Sequence, residues 1–105
     1  MGLTSAQTKR LRAEGHRLKL KPVVIIGQKG LSANLHSEID GALYHHELIK
    51  LKISGNKDER TEVVTSLKDI PDIAIVQVVG GMALIYRASR EPNPVLSNIA
   101  RANVL

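Results

Sequence analysis

A short run, Pro22-Val23-Val24-Ile25-Ile26, stops at Gly27 and gives way after Gly30 to apolar residues at helical spacing. This constrains the fold more than any other feature. The run reads as a buried strand, β-branched on both faces. Leu35, Ile39, Ala42, Leu43 and His46 then follow a helical period, with Ser32 placed to cap that helix. From Leu48 to Ile53 the period changes to two: Ile49, Leu51 and Ile53 point one way, and Leu48, Lys50 and Lys52 the other. Strands alternating with helices imply a sheet with helices packed against it.

The flanking segments extend this unit. Thr4-x-x-Gln7 has the form of a capping box, so a first helix is expected from near Ser5 to between Gly15 and Arg17, with Leu11 and Leu18 near one face. Asn56 or Asp58 can cap a third helix whose apolar stripe is Val63, Val64, Leu67 and Ile70, with Pro71 beyond its end. Ile73 to Val79 and Met82 to Arg87 read as strands joined by the two-residue turn Gly80-Gly81. The expected class is α/β: one domain, order α-β-α-β-α-β-β, with a four-stranded mixed sheet and helices packed on it. Residues 1–90 form the expected domain. Residues 91–105 read as a tail, interrupted by Pro92 and Pro94, with a short helical pattern from Val95 to Leu105.

Charge is distributed unevenly. The net charge is +5, yet residues 1–30 hold seven of the fifteen Lys and Arg and only one acid, Glu14. The remainder holds eight basic residues and nine acids. A basic face of this kind attracts polyanions. The Gly27-Gln28-Lys29-Gly30 loop fits the same chemistry. Its glycines allow close backbone approach, Lys29 adds charge, and the following helix N-terminus offers unpaired N–H groups. Together these suit a phosphate, and in this charge context an RNA phosphate. Arg10, Arg12, His16, Lys19 and Lys21 are expected to supply a flanking basic surface, and Lys50 and Lys52 to extend it. With no Phe, no Trp and two Tyr, a platform of stacked bases is not expected, so contact should run through backbone and shape with weak sequence preference.

Other functions find little support. There is no cysteine, which excludes disulfides and thiolate chemistry. The four histidines (His16, His36, His45 and His46) show no zinc-site spacing. No nucleophile-base-orienter set or phosphate-loop lysine followed by Ser or Thr occurs, so no catalytic residues, cofactor, metal or small-molecule substrate are expected. Met1 to Lys21 lacks an apolar leader region, and no run is long enough to span a bilayer, so a cytoplasmic location is expected.

Three segments resemble one family. Leu18 to Leu31 is similar to the first half of the CRM domain, the domain of chloroplast RNA splicing and ribosome maturation. Ala42 to Ile53, including His45-His46-Glu47-Leu48-Ile49-Lys50-Leu51-Lys52-Ile53, resembles its second signature, and Val78 to Arg87 its closing hairpin. The length resembles the bacterial stand-alone YhbY-like form. The resemblance implies a fold like the C-terminal domain of translation initiation factor three. It also implies an RNA-binding assembly factor for precursors of the large ribosomal subunit, with Gly27, Gln28, Lys29 and Gly30 as an RNA contact similar to the loop of KH domains. The alternatives are a basic protein-interaction module and a general RNA chaperone not tied to the ribosome.

Overall fold

The computed structural model describes residues 3–27, 32–89 and Ser97. Its elements run α1 (Ser5–Arg17), β1 (Pro22–Ile26), α2 (Ala33–His46), β2 (Leu48–Ile53), α3 (Lys57–Leu67), β3 (Ala74–Val79) and β4 (Met82–Tyr86). This is the order expected from the sequence. The helix starts follow local chemistry. Thr4 Oγ1 accepts from the Gln7 amide at 3.1 Å while Gln7 Oε1 accepts from the Thr4 amide at 3.0 Å. Asn56 and Glu59 form the same reciprocal box on α3, and Ser32 caps α2 through the Leu35 amide. Each box satisfies N–H groups that a helix start would otherwise leave unpaired.

The sheet order is β1-β2-β4-β3. β1 and β2 are parallel, and β4 is antiparallel to both β2 and β3. The crossovers β1-α2-β2 and β2-α3-β3 advance in the same direction along the sheet. Right-handed connections of this kind place both helices on one face. Val24, Ile26, Ile49, Leu51, Ile53, Ala83 and Ile85 fill that side against Ile39 and Leu43 of α2, Val63 and Leu67 of α3, and Ile70. Ile70 lies beyond the last turn of α3 but still enters this core, as the apolar spacing anticipated.

Because α1 is not part of a crossover, it is free to take the opposite face. Leu11 packs there on Leu48, Val76, Leu84 and Tyr86. Gly15 brings the helix close: a Cβ at that position would lie 2.8 Å from Leu84 Cδ2. Leu11 and Gly15 are the buried residues of α1. This narrow i, i+4 stripe covers only part of a sheet face.

One expectation about the sheet is overturned. The sequence predicts a buried strand over Pro22–Ile26, but β1 is an edge strand with Val23 51% and Ile25 63% exposed. β-branched composition reports a fit to a pleated surface; whether anything covers that surface depends on a helix from elsewhere in the chain. Here α1 packs on β2 and β3 and does not cover β1. The expected helix from Val95 to Leu105 lies outside the described residues, apart from Ser97.

Candidate nucleic-acid interface

Lys50 and Lys52 stand on the α1 side of β2, a central strand, so they are not the solubilising charges of an exposed sheet edge. Lys52 is exposed and Lys50 half-buried. Their cross-strand neighbours are Leu84 and Met82 on β4, and Pro22 and Ile25 on β1. Where α1 ends above the sheet, His16 faces Lys50 across a cleft of about 340 Å³ lined also by Gln77, Val79, Met82 and Leu84. The fold thus unites three of the basic residues singled out in the sequence, His16 from the helix and Lys50 and Lys52 from the strand.

Arg10 and Arg12 flank buried Leu11 and are exposed on the sides of α1. Arg17 pairs with Glu14 through Nε at 2.6 Å and also through its terminal nitrogen. This hydrogen bond and the neighbouring carboxylate raise the Arg17 pKa further above its already high ordinary value. Glu14, the sole acid of the first thirty residues, is therefore engaged locally.

Lys19 closes α1 in an unusual way. Its amide donates to His16 O at 3.1 Å and the Leu20 amide donates to Gly15 O at 3.3 Å. This is the double-bonded helix end that normally places glycine at the left-handed position; here Lys19 occupies it with φ 52°. The exposed Lys19 and Lys21 continue the basic surface toward β1. Gly27 leaves the sheet beyond Ile26, at the same end as Lys52 and Met82. Gln28, Lys29 and Gly30 lie outside the described residues.

A second cluster, on the α2 side, went unrecognised in the sequence. Glu47, between α2 and β2, is 3% exposed and holds the chain beyond β4. Its carboxylate accepts from the Ser89 amide at 3.1 Å and from the Ser97 hydroxyl at 2.7 Å, and its carbonyl accepts from the Arg87 amide at 3.0 Å. The Arg87 side chain reaches α2 at Asp40 Oδ1, 2.5 Å away. Burial, and secondarily the Glu47 carboxylate, pushes the Tyr86 phenol above its ordinary pKa. The signal available in the sequence was only an acid between two helix-ending residues and a strand, with nothing to indicate distant donors.

Among the described residues no group of His, Asp and Glu is placed to hold a metal ion, and no helix is long and apolar enough to cross a membrane. A four-stranded mixed sheet bearing one helix on a partly open basic face and two on the other defines a small α/β domain of known type. Residues 3–87 match the CRS1/YhbY (CRM) domain, and the chain belongs to that family. It is 40% identical over 102 residues to the Probable RNA-binding protein PA4753 of Pseudomonas aeruginosa, covering 96% of each chain. It is 34% identical over 90 residues to an RNA-binding protein of Haemophilus influenzae, covering 85% of this chain and 89% of the relative. The solution structure of the hypothetical protein SAV1595 from Staphylococcus aureus, described as a candidate RNA binding protein, superposes with a TM-score of 0.71. The two share 36% identity, covering 85% of this chain and 92% of that one.

Proposed function

We propose that this protein binds RNA and acts in the cytoplasm as a non-enzymatic assembly factor on ribosomal RNA in precursors of the large ribosomal subunit. One observation carries the RNA reading: in a chain whose relatives are named RNA-binding proteins, His16, Lys50 and Lys52 converge on an open sheet face. In this reading Arg10, Arg12, Lys19 and Lys21 add phosphate contacts along α1 and its exit. Gly27 and Gly30 let the loop backbone approach, and Gln28 and Lys29 meet the phosphate there. The ribosomal assignment rests on family membership. A binding role also agrees with a surface that presents cations.

Two measurements test this. Lys29→Glu should lower RNA affinity while leaving the unfolding midpoint unchanged; intact affinity in the folded variant removes the loop from the interface. Sedimentation of a lysate with and without ribonuclease should place the protein with large-subunit particles, and ribonuclease should release it. A protein found only at the top of a low-salt gradient refutes the ribosomal assignment.

A further inference from the structure

Among the described residues, α1 covers only part of the sheet face on which it packs. At its open end a row crosses all four strands, Ile25 of β1, Lys52 of β2, Met82 of β4 and Val79 of β3. Ile25 and Val79 are each 63% exposed, and Val23 adds further apolar surface beside Ile25. Exposed aliphatic side chains grouped on one face mark a surface that meets a partner. The cleft of about 340 Å³ opens directly onto this row, with Leu84 and Met82 apolar, His16 and Lys50 basic, and Gln77 the neutral polar side chain. Among the described residues, none of those that line the cleft or form the row is acidic.

An occupant of this place must be anionic and must also present a flat apolar group. A nucleotide has both. A paired base keeps its faces stacked inside the helix, where a cleft between a protein helix and a sheet cannot reach them; an unpaired base can be splayed out. The volume is at the lower end of small-ligand sites, enough for one base. The Gln77 amide offers both a donor and an acceptor for a base edge.

We propose that this open half of the sheet seats an unpaired nucleotide of the bound RNA. The base rests on Val79, Met82 and Leu84 beside Gln77, and the adjoining phosphates meet Lys50, Lys52 and His16. The inference deepens the RNA-binding reading and rests on it. The preferred RNA is then a helix interrupted by a bulged or looped-out residue, chosen by shape rather than by sequence. Aliphatic contact is indifferent to base identity, and Tyr86, the tyrosine on this face, is buried beside Leu11 of α1.

The test uses the full chain and two RNA hairpins with the same stem, one fully paired and one with a single bulged 2-aminopurine. The expected results are a preference for the bulged hairpin of about tenfold and a change in 2-aminopurine fluorescence on binding. The double variant Gln77→Ala, Val79→Ser alters exposed positions. It should keep its unfolding midpoint and its affinity for the paired hairpin while losing both the preference and the fluorescence change. Equal affinity of the wild type for the two hairpins, with silent fluorescence, overturns the unpaired-nucleotide site and leaves the RNA-binding reading standing. Failure to bind either hairpin at low salt overturns both. A preference that survives intact in the folded double variant places the base elsewhere and overturns the assignment to this cleft.

Discussion

Lys19 bears two opposing demands. A non-glycine residue in the left-handed region costs on the order of 1 kcal/mol, and Lys19 sits there at φ 52°. Lys19→Gly should therefore raise stability by about 0.5–1 kcal/mol in urea unfolding while weakening RNA binding through the lost charge. Higher stability with unchanged affinity would confine Lys19 to its helix-ending role. Tyr86 offers a second single-residue probe. Its phenol pKa is raised in the fold by burial first and by Glu47 second. The unfolded chain, with an ordinary tyrosine, thus loses its proton first, at about pH 10. The contribution of Tyr86 is fully present below that pH and is lost as the pH rises through the raised value. Unfolding midpoints measured from pH 8 to 11 should fall less steeply above pH 10 in Tyr86→Phe than in the wild type.

At the scale of elements, the chain beyond β4 is fastened to the junction of α2 and β2 by a carboxylate. Glu47 receives two donors from the chain beyond β4 and adopts φ 61° itself. In Glu47→Ala both donors lose their acceptor, at a cost of about 2–3 kcal/mol. Glu47→Gln keeps an acceptor for the Ser89 amide and can turn its NH₂ toward the Ser97 hydroxyl, which is able to accept. Its cost should be about half that of the alanine variant. Equilibrium unfolding of the two variants checks the order; equal losses would mean that charge, not acceptor geometry, makes the junction. The contrast with α3 is instructive. Its capping box lies within three residues and can be seen in the sequence as Asn56 and Glu59. The Glu47 contacts span 42 and 50 residues, and no local pattern encodes them.

At the scale of the whole molecule, the basic surface is assembled from segments distant in sequence, and its affinity for RNA should depend steeply on salt. Each phosphate contact removed should lower the magnitude of the slope of log K against log salt by about 0.7 for single-stranded and 0.9 for duplex partners. Lys50→Ala and Lys52→Ala, each measured by titration at several salt concentrations, should each reduce the slope by about one contact. The double variant should reduce it by about two. An unchanged slope would take β2 out of the interface and leave α1 and the loop alone.

The sequence by itself determined every element, their order and the hairpin, because caps, glycine turns and the periods of two and 3.6 act over a few neighbours. It also determined that positive charge gathers before residue 30. The tertiary structure decided which surfaces stay open. The strand order β1-β2-β4-β3 made β1 an edge, and the narrow buried stripe of α1 left Ile25, Lys52 and Val79 exposed and Met82 half-buried. A strand's composition reports that its side chains can be buried, whereas burial itself depends on which other element arrives. That is settled by crossover handedness and by packing between residues far apart in the chain.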